Sequence, residues 1–161
     1  MNKEQLHTMF EYKDGNLIYK IKTSKKMNIG DEAGHISPRG YITISINYKI
    51  YMAHRLVWMF HYGDIPTGIQ IDHINQNKSD NRIENLRLAT ISQNHYNITK
   101  RKNNTSGYKG VSRYRRGKKW EAVMSHNNKK IHLGLFATPE LASEAYKEAA
   151  IKLQGEFACW E

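Results

Sequence analysis

A basic, polar segment without hydrophobic periodicity interrupts the chain at residues 98–106, ITKRKNNTS. Segments of this composition are typical of linkers, so they limit a chain to separate cores on either side. We therefore expect two units, at residues 1–97 and 107–161. The chain has 161 residues, of which 39% are apolar, and that is enough for two modest cores.

The first unit combines short strands with helices. Residues 1–52 are predicted to form short strands, with GNLIYK and GYITISINYKIYM alternating with period two and a hairpin turn near Asn47 and Tyr48. A helix is predicted over residues 53–62, and it ends at Gly63. The window 71–97 then gives strand, polar loop, strand and helix, with a capping box at Thr90 and Gln93.

The second unit has a simpler pattern. Three strands are predicted in GYKGVSRYR, KWEAVMSH and KKIHLGLF, with turns at Gly117 and at Asn127 and Asn128. A helix follows, capped by Thr138 and closed by Gly155. Its core-facing stripe is predicted to consist of Leu141, Ala145, Ala149 and Leu153, widened by Tyr146 and Ala150. The fold class is thus α+β, with a small C-terminal three-stranded antiparallel sheet packed on one helix.

The charge and the cysteine content restrict the partners. The chain carries 25 Lys and Arg against 15 Asp and Glu, a net charge of +10, which favours a polyanion such as nucleic acid. A basic surface that serves only solubility is the alternative. Cys159 is the single cysteine, so neither an intrachain disulfide nor a multi-cysteine zinc site can form. With no signal-like N-terminus and no long apolar run, we expect a cytoplasmic protein and no membrane.

The window 71–97 holds residues suited to hydrolysis of a phosphodiester. Such a reaction needs a base that works near neutral pH, and histidine meets this need. It also needs a divalent cation beside the phosphate, which prefers oxygen ligands. Asp72 and His73 offer one ligand and one base, and Asn94 offers a second oxygen. Because strand neighbours point to opposite faces, this pair requires a strand end or bend. A hydrogen-bonded surface loop is the alternative.

The same window resembles the motif of HNH nucleases, the ββα-metal finger, and is most similar to phage and intron-encoded homing endonucleases. The matching residues are DH at 72–73, NQNKSDN at 75–81, ENLR at 84–87 and Asn94 of SQN. The resemblance implies that His73 is the general base, that Asp72 and Asn94 bind Mg²⁺ or Mn²⁺, and that Asn85 braces the loop. Asn94 replaces the final histidine of the motif, and we prefer it to the adjacent His95.

Residues 54–66 resemble the segment that precedes the motif in these enzymes. His54 and Arg55 are candidates for facing the phosphate there. A packed helix with a hydrogen-bonded histidine is the alternative for His54.

Residues 107–158 resemble the Apetala-two or ethylene-response-factor type of DNA-binding domain, through GYKGVSRY, KW at 119–120, IHLGLF and the closing helix. In that family the sheet lies in the major groove. The second strand here lacks the arginines of the plant factors, so no target sequence is inherited. Trp120 has two interpretations, a DNA contact or a core residue. The predicted DNA-binding residues are Arg113, Arg115, Arg116, Lys118, Lys119 and Trp120, with Lys100, Arg101 and Arg55 from outside this unit.

These features together predict a metal-dependent, site-specific DNA endonuclease that binds double-stranded DNA. The chain carries one candidate site, so a monomer should nick one strand, whereas a weak dimer could cut both. A phage source, and hence the cytoplasm of a host cell, follows from the resemblance alone. A DNA-binding protein without catalysis is the alternative. An RNA-binding protein is ranked last, because the exposed aromatic platform for single strands is missing.

Overall fold

The computed structural model describes residues 1–22, 27–115 and 117–160. The chain divides into two compact units, Met1–Ala89 and Thr90–Glu161. Both combine helices with antiparallel strands, which confirms the α+β class. The boundary between the two units lies before the helix predicted at the end of the window 71–97. The predicted domain boundaries, 1–97, 98–106 and 107–161, remain a prediction.

The first unit is built from short strands around one central helix. The helices are α1 (Lys3–Met9) and α2 (Ala53–Tyr62). The strands are β1 (Phe10–Lys13), β2 (Asn16–Tyr19), β3 (His35–Ile36), β4 (Ile42–Ile46), β5 (Lys49–Met52), β6 (Gln70–His73) and β7 (Leu86–Ala89). In the described ranges they pair as β1–β2, as β3–β4–β5 and as β6–β7, always antiparallel.

Helix α2 holds this unit together because its buried face joins all the sheets. Leu56 and Val57 are almost fully buried in one cluster with residues of β1, β2, β4, β6 and β7. Met59 and Phe60, three and four residues after Leu56, pack against the same cluster but are only partly buried. Helix α2 begins directly after β5 and ends at Gly63, whose φ is 85°. The core consequently fixes α2 against the β6–β7 hairpin.

The prediction that residues 1–52 form only strands is wrong at its start. Helix α1 is closed by a capping box, in which Asn2 accepts from the backbone of Gln5 and the Gln5 side chain accepts from the backbone of Asn2. With seven residues and Leu6 as its only buried one, α1 is too short to show helical periodicity in the sequence. The hairpin at Asn47 and Tyr48 is confirmed, since both residues have positive φ values of 49° and 62°.

The second unit contains a short helix, a sheet and a long helix. The elements are α3 (Ile91–Tyr96), β8 (Val111–Arg113), β9 (Trp120–His126), β10 (Lys129–Phe136) and α4 (Pro139–Gln154). The strands form one antiparallel sheet in the order β10–β9–β8, and α4 packs on it. The predicted strands, the Asn127–Asn128 turn and the Thr138 cap are all confirmed.

The centre of the predicted stripe of α4 is wrong by one position, although Tyr146 and Ala150 are buried as predicted. Ala142, Tyr146, Ala150 and Gln154 are buried, whereas Leu141 is 50% and Leu153 is 38% exposed. A shift of one residue turns a helix by about 100°, so both leucines lie at the edge of the interface. The alanines have no bulk beyond Cβ, and Ala142 and Ala150 let the helix approach the sheet closely. The prediction followed the apolar leucines, whereas the buried face of α4 is set by the small size of the alanines.

No helix in these described ranges has the combination of length and apolarity needed to cross a membrane.

Gly110, directly before β8, lies against the Tyr146 ring of α4, and it provides a test of this packing. Its φ is +70°, and an added Cβ would overlap the Tyr146 ring and lie 2.7 Å from the Val123 carbonyl oxygen. We expect Gly110→Ala to lower the free energy of unfolding of the second unit by about 2–4 kcal/mol, combining backbone strain with overpacking. Urea unfolding measures this change.

Gly107→Ala is the matched control. Gly107 has a φ of +82°, but nothing lies within 4 Å of its added Cβ. That variant should lose only the backbone part, about 1 kcal/mol. Equal losses in both variants would contradict the close approach of Tyr146 to Gly110.

Candidate functional site

Asp72 and His73 lie at the end of strand β6, as the alternation of side chains along a strand required. Pairing with β7 places Asp72 opposite Arg87 and His73 opposite Leu86. Both side chains are buried, at 6% and 5% exposure. The Arg87 guanidinium donates to Asp72 Oδ2 from Nε and from Nη2, each at 2.9 Å. This two-point ion pair fixes the orientation of the Asp72 carboxylate.

His73 lies in a pocket of aromatic and amide side chains. Its Nε2 is 3.0 Å from Oδ1 of Asn81, a residue that is only 2% exposed. The His54 ring is 5.0 Å from the His73 ring between centroids, with the planes crossing at 68°. The Tyr41 ring centroid is 6.1 Å from that of His73 and 5.4 Å from that of His54. The imidazole of His73 is thus enclosed by His54, Tyr41 and Asn81.

His54, which belongs to α2, is buried at 7% exposure beside the candidate base. Burial lowers the pKa of His54 from 6.5 to about 3, and the nearby His73 and Arg55 lower it further. Its Nδ1 is buried and has no hydrogen-bond partner within the described part of the chain. His54 is therefore a neutral ring at neutral pH, and Arg55 beside it is exposed.

The polar loop between β6 and β7 is held by the Asn85 carboxamide. Oδ1 of Asn85 accepts from the Asn75 backbone at 3.0 Å, and Nδ2 donates to Asn75 Oδ1 at 2.9 Å and to the Asp80 carbonyl at 2.7 Å. The Asp80 carboxylate in turn accepts from Arg82 and Asn75, and these bonds hold the pKa of Asp80 well below its usual range. These contacts are those of a brace across the loop.

Asn94 lies in the second compact unit, on helix α3. Thr90 and Gln93 form the predicted capping box at the start of this helix, and the Asn94 backbone donates to the Thr90 carbonyl at 3.0 Å. The Asn94 side chain is half-buried, whereas His95 is exposed. Asp72 and Asn94 are thus described in different units. Among the described residues, no three His, Cys, Asp or Glu side chains are grouped as metal ligands.

Helix α3 is attached to the sheet of its own unit through Tyr96. The Tyr96 hydroxyl donates to Asn127 Oδ1 at 3.1 Å and accepts from the Asn127 backbone at 2.9 Å. Its ring stacks on His126 with centroids 5.5 Å apart. The ammonium of Lys109 donates to the Tyr96 carbonyl at 2.7 Å, and burial lowers the Lys109 pKa. The helix that carries Asn94 is therefore fixed to the β9–β10 hairpin.

The predicted DNA-binding residues of this unit fall into two groups. Arg113, Arg115, Lys118 and Lys119 are exposed, and Arg116 lies outside the described residues. Trp120 instead packs against the cluster of Val111, Ala122 and Ala142, on the side of the sheet that faces α4, with the Arg113 guanidinium 5.4 Å from its ring centroid. This packing favours the core interpretation of Trp120, and its contact with DNA remains a prediction. Lys100 and Arg101 are exposed.

Asn81 and Arg87 contact the two central residues but were not among the site residues predicted from the sequence. Asn81 is the last residue of the polar segment NQNKSDN. No hydrophobic periodicity in the sequence marks a loop residue whose side chain folds back on a strand. Arg87 had a weak signal, because it lies directly opposite Asp72 when the two strands are paired as a hairpin. The register that reveals this pair depends on the length of the loop that joins them.

Two family models match the chain. The model described as HNH endonuclease matches residues 51–96, and the model described as AP2 domain matches residues 106–156. The first match contains Asp72, His73, Asn85 and Asn94, and the second contains the β8–β10 sheet and α4.

Viral and prophage proteins are similar to the chain. Protein 3.8 of Escherichia phage T7 is 33% identical over 111 residues, which cover 69% of this chain and 91% of the phage protein. A protein of Acanthamoeba polyphaga mimivirus, named an uncharacterized HNH endonuclease, is 33% identical over 125 residues, 77% of this chain and 64% of that protein. A Bacillus subtilis protein, named for an SPbeta prophage-derived HNH homing endonuclease, is 36% identical over 64 residues, 37% of each chain.

The chain therefore spans most of the T7 protein but less than two thirds of the other two relatives. No solved structure matches the chain significantly. The family matches, the relatives and the residues gathered around His73 lead to one conclusion: the chain belongs to the HNH endonuclease family and carries an AP2 domain after its HNH motif.

Proposed function

We propose that this protein is a metal-dependent, site-specific DNA endonuclease of the homing type, with His73 as the general base. The observation that carries the proposal is the buried His73 at the end of β6, hydrogen-bonded to Asn81 and adjacent to the ion-paired Asp72. Family membership supports the nuclease activity itself.

The chemistry follows from the residue types. An imidazole accepts a proton near neutral pH, so His73 can take the proton of an attacking water. The brace by Asn85 keeps the loop, and with it Asn81, in place behind His73. We assign Asn85 an indirect part in catalysis, since its contacts are with the loop.

The donors suit a hard divalent cation. Asp72 supplies a carboxylate and Asn94 a carboxamide oxygen, and Mg²⁺ typically uses one or two such protein ligands with waters and substrate phosphate. When bound, the cation would neutralise negative charge that develops on the phosphate. We assign Asp72 and Asn94 as its ligands on the family resemblance and on this oxygen chemistry, with Mg²⁺ or Mn²⁺ as the ion. Zinc has no support from this donor set.

The AP2 domain supplies the DNA contacts in this proposal. Exposed Arg113, Arg115, Lys118 and Lys119 surround the β8–β9 hairpin. Lysine mainly neutralises phosphate, whereas arginine can also bind guanine through two hydrogen bonds. Lys100, Arg101 and Arg55 are assigned to phosphate contacts. Arg116 is assigned to DNA binding from its place in the sequence alone.

The proposed base and ligand are tested together on supercoiled plasmid. We expect conversion to open circles that requires Mg²⁺ or Mn²⁺ and is blocked by EDTA. His73→Ala should lower the cleavage rate by at least about 100-fold, because the general base is lost, while the Kd for DNA stays the same. Asn94→Ala should raise the metal concentration needed for cleavage.

His95→Ala is the matched control for Asn94→Ala, because it changes the neighbouring, exposed position of the same helix. A raised metal requirement in His95→Ala rather than in Asn94→Ala would reassign the ligand. Linear product from the wild type would indicate a dimer or paired sites. Binding without any cleavage, in gel shift and plasmid assays with several target DNAs, would leave the non-catalytic DNA-binding protein as the function.

The phosphate contacts are tested by the salt dependence of DNA binding. The double variant Lys118→Gln, Lys119→Gln should lower the slope of log K against log salt by about 2, since each phosphate contact contributes about 0.9. The double variant Lys147→Gln, Lys152→Gln removes the same charge from exposed positions of α4. Equal slopes for the two double variants would mean that net charge, and not the hairpin, determines binding.

The buried state of His54 gives a pH-dependent stability. The unfolded chain takes up a proton at His54 near pH 6.5, whereas the folded chain does so only near pH 3. The unfolded state therefore binds more protons in this window, and stability falls as the pH drops below 6.5. Between about pH 7.5 and about pH 5, wild type should lose about 2 kcal/mol more unfolding free energy than His54→Phe.

Urea unfolding followed by amide NMR signals of Met1–Ala89 measures this difference within each variant. His35→Phe, at an exposed position of β3, is the control and should lose as much as wild type. The same loss in His54→Phe as in wild type would mean that His54 is protonated in the folded protein.

A further inference from the structure

The hydrogen bond between Asn81 and His73 determines which ring nitrogen of His73 carries the proton. The acceptor is Oδ1 of Asn81, at 3.0 Å from Nε2. A carboxamide oxygen has no hydrogen to give, so Nε2 must be the donor. A neutral imidazole has one N–H, and Nδ1 is consequently the nitrogen with the lone pair.

We propose that Asn81 is a positioning residue that holds His73 in the Nε2–H tautomer and thereby assigns Nδ1 as the proton acceptor. The role in cleavage rests on the proposed function of His73 as general base. The tautomer itself does not depend on that function, because it follows from one hydrogen bond between two buried side chains.

Asn81 is suited to this task because the residues on both sides of it are fixed. The Asp80 carbonyl accepts from Asn85 Nδ2 at 2.7 Å, and the Asp80 carboxylate binds the Arg82 guanidinium at 2.8 and 2.9 Å. The next backbone amide, of Ile83, donates to the Tyr12 hydroxyl at 3.0 Å.

The turn between β1 and β2 supports the same part of the loop from the other side. A Cβ added at Gly15 would lie 2.8 Å from the Arg82 nitrogen and 3.1 Å from the Asn81 carbonyl carbon. The backbone of Asn81 is therefore confined between this turn and the Asn85 brace.

The His73 ring is also restricted on its other sides. His54 crosses it at 68° with centroids 5.0 Å apart, and Tyr41 is 6.1 Å away. These rings limit how the imidazole can turn, so the bond to Asn81 selects the nitrogen that faces the loop. The hydrogen bond that an imidazole makes sets which of its nitrogens carries the proton, and here that bond is to Asn81.

The proton transfer is balanced as follows. A water oxygen forms the bond to phosphorus while one of its protons moves to Nδ1 of His73. The P–O bond to the leaving sugar oxygen breaks, that oxygen keeps the electron pair, and solvent water supplies its proton. His73 then carries N–H groups at both nitrogens, and the Nε2–H remains bonded to Asn81 throughout.

The test uses full-length protein labelled with ¹⁵N at histidine, at about pH 8, where an ordinary imidazole is neutral. Long-range ¹H–¹⁵N spectra show which nitrogen of each ring is protonated, and the His73 signals are those missing from His73→Gln. We expect Nε2–H in wild type and in Asn81→Asp, which keeps an acceptor oxygen. Asn81→Ala should give a mixture of tautomers and a kcat about 10–100-fold lower with KM unchanged.

Asn77→Ala is the matched control, because Asn77 is an exposed residue of the same loop, and its side-chain oxygen accepts from the Ser79 backbone and hydroxyl. It should keep both the tautomer and kcat. Thermal melting confirms that each variant folds, and if Asn81→Ala does not, the comparison of Asn81→Asp with wild type decides.

Two results would overturn the proposal. One is a wild-type His73 protonated at Nδ1, which would mean that Asn81 donates through Nδ2. The other is an unchanged Nε2–H tautomer and kcat in folded Asn81→Ala. If the tautomer depends on Asn81 but wild type cleaves no DNA, the positioning is supported and the proposed function fails, so the two failures are distinguishable.

Discussion

The hydrogen bonds of the Asn85 carboxamide determine the shape of the polar loop, and the environment of His73 depends on that shape. Three bonds join Asn85, at the end of the loop, to Asn75 near its start and to Asp80 in its middle. A loop without regular structure is otherwise costly to order, because each fixed residue loses backbone entropy. One buried side chain, 6% exposed, thus replaces the ladder of bonds that a longer hairpin would provide. Asn81 can then reach His73 from a defined direction.

The candidate site combines buried charge with buried neutral rings. The buried charge of Asp72 faces that of Arg87 across β6 and β7, and the two neutralise each other at 2.9 Å. On the other face of β6 the neighbours of His73 are His54, Tyr41 and Asn81, none of which carries a charge at neutral pH. Neighbouring residues of one strand therefore have different electrostatic surroundings, which suits one as a ligand for a cation and the other as a base.

Much of the fold could be predicted from sequence, because local rules decide it. The Asn127–Asn128 turn, the Thr90 and Thr138 caps and the strand KKIHLGLF depend on residues close in sequence. Helix α1 was missed, since one buried leucine in seven residues leaves no period to detect. The buried face of α4 was misplaced, because Leu141 and Leu153 are apolar but the close approach to the sheet requires Ala142 and Ala150.

The candidate site was predictable only in part, for a related reason. His73, Asp72 and Asn85 were found through the spacing of a motif, and the structure gives each of them a defined set of contacts. Asn81, Arg87 and the buried His54 gain their importance from strand register and from packing between elements. Such contacts bring together residues as far apart as β6 and α2, and no local pattern records them.

The attachment of helix α3 to the β9–β10 hairpin limits where a foreign DNA-binding domain could be joined to this chain. Tyr96 bonds Asn127 and stacks on His126, so α3 forms a compact unit with the AP2 sheet although the HNH family model includes it. An engineer who wished to redirect the nuclease by grafting a foreign recognition module would naturally cut in the basic segment at residues 98–106. That junction would leave Tyr96 without Asn127 and His126, its partners in the sheet. A chimaera that keeps α3 together with the Tyr96–Asn127 pair would preserve these contacts and would also retain Asn94.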